Sequence, residues 1–128
     1  MNLLSQVARH LEFLGLGTVA DAKTAGDIFQ GHMPDEPDEC VCVMSTDSAY
    51  AGAPQGARVQ IETRALDSNT AYERSQAIAE ELADFVGFLG GDGPDARIVV
   101  ENASAGLGAD AKWRHIYSTN IRVYYCDY

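Results

Sequence analysis

Apolar residues recur along two stretches of the chain with the spacing of a helix that has one buried face. In residues 3–14 they repeat every three or four positions, and Asn2 is available to cap the first turn. A second helical pattern begins at Thr70, where "TAYE" fits a capping box with Glu73, and it continues until Gly90. The pattern therefore predicts two amphipathic helices.

Other stretches have the two-residue alternation or the short apolar runs of β-strands. "CVCVMS" is apolar on both faces, which predicts a strand in the middle of a layered structure. "ARVQIETRA" alternates, which predicts one face in the core and one face in water. The predicted strands are "DIFQGHM", "CVCVMS", "ARVQIETRA", "ARIVV" and "WRHIYSTNIRVYYCDY".

Two segments lack any period and are rich in small residues. These are "STDSAYAGAPQG" and "NASAGLGADA", and we expect both to be mobile loops that become ordered against a neighbour. The element order is then α-β-β-β-α-β-β, with no repeat and no linker. We predict an α+β fold in which two helices pack on a mostly antiparallel sheet of about five strands, as a single domain over residues 1–128.

Composition narrows the classes of protein. The chain is 46% hydrophobic, and it has no apolar run near the roughly 18 residues of a membrane span, so we expect a soluble protein with no membrane partner. The start lacks the basic region of a secretory signal, which favours synthesis inside the cell. A formal charge of −10 argues against a protein that reads nucleic acid through a basic patch.

The stretch "GHMPDEPDECVCV" concentrates potential metal ligands. Cys40 and Cys42 are separated by a single residue on a predicted strand, whereas structural zinc sites favour two pairs of ligands in turns. His32, His10 and Cys126 are too scattered to supply the second pair without fortunate convergence. We therefore expect no metal and no other cofactor, and we interpret the cysteines as core residues.

The acidic residues of the same stretch invite a calcium or a catalytic reading. An EF-hand loop needs a glycine at its sixth position and a flexible backbone, and the prolines here prevent that curl. A catalytic pair needs one carboxylate in an apolar pocket. A solvated turn is the expectation for Asp35, Glu36, Asp38 and Glu39.

Motifs for catalysis are weak elsewhere. "GLG" at 106–108 lacks the Lys-Ser/Thr pair of a P-loop, and neither a G-x-S-x-G nor an H-E-x-x-H sequence occurs. Cys126 and His115 are eleven residues apart on one predicted strand, about 35 Å at full extension, so they do not form a dyad. We predict no catalytic residues.

The last sixteen residues combine tyrosine, tryptophan and arginine, the types enriched at protein interfaces. An alternative is that tyrosine simply suits strands. Odd-numbered positions from Trp113 onward are predicted to face the core, and even-numbered positions to form a contact surface. The candidate interface residues are Trp113, Arg114, Tyr117, Arg122, Tyr124 and Tyr125.

Together with the element order, four segments resemble the bacteriophage minor capsid and tail-terminator (head-to-tail joining) proteins. They are "LLSQVARHLEFLGLGTV", "DIFQGHMPDEPDECVCV", "ARVQIETRALDSNTAYERSQAIAEEL" and "WRHIYSTNIRVYY". The turn at Gly31, Pro34, Pro37 and Asp38 resembles the turn after the first strand in that family. The resemblance implies an α+β domain without catalytic residues that caps the tail tube as a ring, usually a hexamer.

The resemblance also implies the partners: copies of the chain itself, the tail tube protein and the head connector or neck protein. DNA passes through such a ring without specific binding, and the protein is made in the host cytoplasm and becomes part of the virion. Head-completion proteins and other virion adaptors remain alternatives, as does, more distantly, a small metal- or ligand-binding enzyme.

Overall fold

The computed structural model describes residues 2–46 and 56–126, and in these residues two helices lie on one face of a six-stranded sheet. The strand order across the sheet is β1-β2-β3-β6-β5-β4, with β1 parallel to β2 and every other pair antiparallel. In chain order the elements are α1 (Leu3–Phe13), β1 (Ile28–Gln30), β2 (Cys40–Ser45), β3 (Ala57–Ala65), α2 (Ser68–Leu82), β4 (Val86–Phe88), a 3₁₀ turn (Leu89–Gly91), β5 (Asp95–Ala109) and β6 (His115–Tyr125).

The predicted α+β class and mostly antiparallel sheet are confirmed, with six strands instead of about five. Strands β2 and β3 have the predicted bounds. Most of the stretch predicted to be a mobile loop between them, residues 47–55, lies outside the described residues.

The core forms where the two helices meet the sheet. Residues 40–43 of β2 are fully buried, which confirms a strand that is apolar on both faces. On the helix-covered face the core is built from Val7, Leu11, Ile78 and Leu82 of the helices and from Val41, Val43, Val59, Ile61, Ile121 and Val123 of the strands. Each such side chain contributes about 1.5–3 kcal/mol of hydrophobic stabilisation, so this layer fixes the position of both helices.

Helix α1 begins as predicted, because the Asn2 side chain accepts a hydrogen bond from the Ser5 amide at 2.9 Å. Helix α2 begins earlier than predicted. Its cap is Asp67, whose carboxylate accepts from both the Thr70 amide and the Thr70 hydroxyl at 3.0 Å. The capping box at Thr70 was therefore wrong: an aspartate three residues before a threonine caps equally well, and it adds a turn.

Helix α2 also ends earlier than predicted, at Leu82 instead of Gly90. Asp84 has a left-handed backbone (φ 57°), and the chain then runs into the short edge strand β4. The Phe85 ring lies 4.3 Å from the His10 ring, and Leu89 is buried in the core. Their helical spacing is a coincidence, because Phe85 precedes β4 and is partly buried against the core, while Leu89 is buried as part of the 3₁₀ turn.

The segment "NASAGLGADA" is not the flexible connection that its composition predicts. Residues 102–109 extend β5 and pair with β6, with register irregularities that the small residues accommodate. At the other end of the sheet β1 is shorter than the predicted strand 27–33, because the chain turns at Gly31 with φ 93°.

Candidate assembly surface

The sheet face opposite the two helices is not covered by any helix of the described residues. Side chains directly opposite one another in the antiparallel pairs share this face. We call it the open sheet face, and it carries Arg58 and Gln60 of β3, Val86 and Phe88 of β4, Arg97, Val99 and Glu101 of β5, and Asn120, Arg122 and Tyr124 of β6. Three of the nine basic residues of this acidic chain, Arg58, Arg97 and Arg122, thus lie here, and a fourth, Arg64, lies on the same side of β3 but is buried under the loop that follows β1.

Two arginines of the open sheet face are neighbours. Arg58 and Arg122 lie directly opposite each other in the β3–β6 pair, an arrangement that would be repulsive without a counterion. Glu101 supplies it, with one carboxylate oxygen 3.4 Å from Arg58 Nε and the other 3.2 Å from Arg122 Nε. The triad keeps both guanidinium groups on the surface in defined positions.

A third arginine stacks on a tyrosine. The guanidinium carbon of Arg97 lies 4.9 Å from the centre of the Tyr124 ring, within the range of a cation–π interaction. Val86, Phe88 and Val99 are exposed on the same face. Aromatic and arginine side chains beside exposed apolar groups have the composition of a protein contact surface.

A groove of about 350 Å³ crosses the open sheet face beside the triad. Its walls are Thr46, Arg58, Gln60, Glu101, Asn102 and Asn120. Every one of these side chains carries a hydrogen-bonding group. The groove is suited to polar contacts with another macromolecule and offers little apolar surface to a small ligand.

Two of the six predicted interface residues lie on the helix-covered side. The Tyr117 hydroxyl is 2.9 Å from Ser68 Oγ, and the Tyr117 ring packs edge-on against Tyr72. The Tyr125 hydroxyl donates to the side-chain carbonyl of Gln6. Both tyrosines therefore join helices to the sheet within the subunit, as the prediction of a core-facing odd-numbered side implied.

Trp113 does not face the core, and that prediction was wrong. Strand β6 begins only at His115, so the alternation does not extend to Trp113, whose side chain is 79% exposed. Trp113 lies in a turn with left-handed backbone (φ 62°). The turn is held by Asp110, whose Oδ1 accepts from the backbone amides of Lys112 at 2.9 Å and Arg114 at 3.0 Å.

Arg114 was predicted to be part of a contact surface, but its side chain is only 5% exposed. Its guanidinium donates to Asp110 Oδ2 at 2.8 Å, lies 3.4 Å from carboxylate oxygens of Asp35 and Asp38, and also donates to the Asp35 carbonyl. The backbone amide of Arg114, above all, lowers the pKa of Asp110. Arg114 thus fastens the hairpin turn to the loop that follows β1.

Arg64 is the residue that the sequence reasoning missed. Its place in an alternating strand predicted a solvated side chain, yet it is 3% exposed. Its guanidinium donates to four backbone carbonyls of the same loop, those of Pro34 and Pro37 at 2.6 Å, Asp38 at 3.2 Å and Asp35 at 3.4 Å. The loop side chains at 35–39 are exposed as predicted, while its backbone curls around a cation. The signal available in the sequence was the pair of prolines, because a residue without a backbone N–H leaves the loop with fewer amide donors for its own carbonyls.

Cys40 and Cys42 occupy fully buried positions of β2, as apolar residues would, whereas Cys126 is partly exposed. Burial raises the pKa of Cys40, and burial together with the nearby Glu62 carboxylate raises the pKa of Cys42 to about 12. Both thiols are therefore protonated and poor metal ligands at neutral pH. Across residues 2–46 and 56–126, histidine, cysteine and acidic side chains form no group of three or more that could hold a metal ion.

In the described part of the chain, no helix is long and apolar enough to cross a membrane. No curated protein is similar enough to the chain to count as a match. A family profile described as "Bacteriophage tail terminator protein" matches residues 10–125, which include all the strands and α2. The chain belongs to the bacteriophage tail terminator family.

Proposed function

We propose that this protein caps the phage tail tube as a homo-oligomeric ring, a hexamer, and joins the tube to the head. The observation that carries the proposal is the family match over residues 10–125. The same match favours tail termination over the other virion adaptor roles that the sequence left open. The proposal assigns the protein a structural role in the virion and no catalytic residues.

The open sheet face is the surface through which we expect subunits to meet. Arg122 and Tyr124, two of the predicted interface residues, lie on it, and Arg97 and Glu101 hold their side chains in place. Pre-ordered aromatic and arginine side chains lose little conformational entropy on association, which favours their use as anchors.

The outer side of α2 is the surface that we expect to face the channel. It exposes Glu73, Glu80 and Glu81, and Asp84 follows directly. Six copies of a chain with charge −10 carry about −60, and an acidic wall avoids the counterion-release attraction that makes DNA adhere to basic surfaces. DNA would pass without specific binding. The acidic loop at 35–39 is the second candidate for this wall.

The remaining partners follow from the position of such a ring. One rim would contact the tail tube protein, and the other would contact the head connector or neck protein. The protein would be made in the host cytoplasm and retained in the virion.

Tube growth in vitro tests the proposal. Purified tail tube protein is allowed to polymerise, and the chain is added at increasing concentration. We expect growth to stop and the tubes to carry one ring at a single end. Tubes that continue to lengthen at saturating concentrations of the chain would contradict the proposal.

A further inference from the structure

Trp113 is a large apolar side chain displayed in water on a stiff support. It is the only tryptophan of the chain and is 79% exposed. The Asp110 hydrogen bonds fix its turn, and the buried Arg114 anchors the turn from below. Tryptophan held in one place and left exposed is the residue type that most often dominates binding energy at an interface.

A pocket that suits an indole ring lies elsewhere on the molecule, between α1 and the segment that links β4 to β5. Its volume is about 510 Å³. Leu89 forms the floor of the pocket, and Pro94 and Phe13, whose ring is 63% exposed, form apolar walls. Polar side chains of α1 line the rest: Gln6, Arg9 and Glu12. Asp92 is exposed at the rim and offers carboxylate oxygens that accept hydrogen bonds.

The tryptophan and the pocket lie at opposite ends of the same strand. Trp113 lies two residues before the start of β6. The pocket lies near the other end of that strand: its residue Pro94 adjoins Asp95, whose carbonyl accepts a hydrogen bond from the Cys126 amide just beyond the end of β6. The ten residue steps between His115 and Tyr125 span about 33 Å along the strand. Trp113 therefore cannot fill the pocket of its own subunit.

We propose that Trp113 of one subunit inserts into the α1 pocket of the next copy of this chain. The inference rests on the proposed ring, and it names one contact that would build it. A protrusion and a recess at different places on one chain make a heterologous, head-to-tail contact, which generates a ring when its rotation closes. Phe13 would pack against the indole, and Asp92 would accept the indole N–H, which needs a partner once it is buried.

The single tryptophan makes the contact directly measurable in the full chain. Monomer and ring are separated by size exclusion, and the fluorescence of each is recorded with increasing acrylamide. We expect the emission of the ring to shift to shorter wavelength and its quenching constant to fall severalfold relative to the monomer. A ring whose tryptophan is quenched as readily as in the monomer would overturn this inference and leave the proposed function standing. A chain that forms no ring would overturn both.

Two pocket variants test the site of insertion. Phe13→Ala removes one wall, and Asp92→Arg replaces the acceptor with a bulky donor; each should raise the dissociation constant of the ring about tenfold or more. Leu66→Ala is the matched control for Phe13→Ala, because it removes an apolar side chain that is similarly exposed (55%) and lies outside the pocket. It should leave the dissociation constant within about twofold, as expected for a residue outside the contact.

Circular dichroism of each monomer confirms that the fold is retained. Pocket variants that assemble like the native chain would overturn the inference. So would variants that form normal rings and lose only their binding to the tail tube, because the pocket would then receive a different protein.

Discussion

Arg64→Met should destabilise the protein by removing the cation around which the loop after β1 is wound. The guanidinium donates to the carbonyls of Pro34 and Pro37 at 2.6 Å, and to those of Asp38 and Asp35 at 3.2 and 3.4 Å. Methionine keeps an unbranched apolar stem in the same space but offers no donor. The comparison therefore isolates the hydrogen bonds from the packing.

The size of the effect follows from the geometry. A hydrogen bond to a charged group contributes about 1.5–3 kcal/mol, and the two short bonds should each be at the lower end, because the loop is at the surface and its freed carbonyls regain water. The two longer bonds add little. We expect a loss of about 2–4 kcal/mol in the free energy of unfolding, a large part of the 5–15 kcal/mol typical of a domain.

Urea unfolding followed by circular dichroism measures the change. Arg64→Lys should fall between the native protein and Arg64→Met, because a lysine ammonium cannot reach four carbonyls at once. Arg58→Met is the matched control on the same strand: its side chain is 54% exposed and its ion pair with Glu101 is solvated, so we expect a change below about 1 kcal/mol. An Arg64→Met protein within about 0.5 kcal/mol of native would refute this account of the loop.

Three further predictions concern protonation, thiol reactivity and assembly. Burial lowers the pKa of His10 below its ordinary 6.5, so stability should fall as the pH drops below 6.5, by at most about 1.4 kcal/mol per pH unit, and His10→Gln should lose this component in urea titrations. Of the three thiols, only Cys126 should react with a thiol reagent in the native protein, since the other two are buried. The double variant Arg122→Ala/Tyr124→Ala should keep the monomer fold and weaken assembly by a few kcal/mol in sedimentation experiments.

A specific experimental result would contradict each of these three predictions. The predicted loss of stability at low pH also fits the contact that His10 makes: its Nδ1 accepts a hydrogen bond from the Gly90 amide at 2.9 Å, and protonation of Nδ1 would break that bond. Equal pH profiles for the native and His10→Gln proteins would contradict it. Rapid labelling of more than one thiol would mean that the core opens readily. If Tyr125→Phe, on the helix-covered side, weakened assembly as much as the open-face double variant, the assignment of the surface would be wrong.

The strands that sequence predicted well are those whose pattern belongs to the strand itself. Residues 40–45 form a continuous apolar run and residues 57–65 alternate, so both strands could be bounded from the sequence. Residues 102–109 carry small side chains with no pattern, and their strand exists because β6 provides its hydrogen bonds. A segment specified by its partner cannot be recognised from its own residues.

The candidate assembly surface was also predictable only where the pattern of the strand itself determines the side-chain positions. The alternation of β6 correctly separated Arg122 and Tyr124 from the core-facing Ile121 and Val123. It could not show that Arg114 lies just outside the strand, where a charged side chain turns inward. An arginine can be buried only where the fold brings carbonyls and carboxylates to it, here from a loop distant in sequence, and strand periodicity cannot predict such partners.

Electron microscopy of tail tubes assembled with this protein would show whether it terminates the tube. We expect one ring of six copies at the head-proximal end of each tube, with the open sheet faces at the subunit contacts and an acidic channel wall. A protein absent from that end, bound along the tube, or closed into a ring with a neutral or basic channel would contradict it.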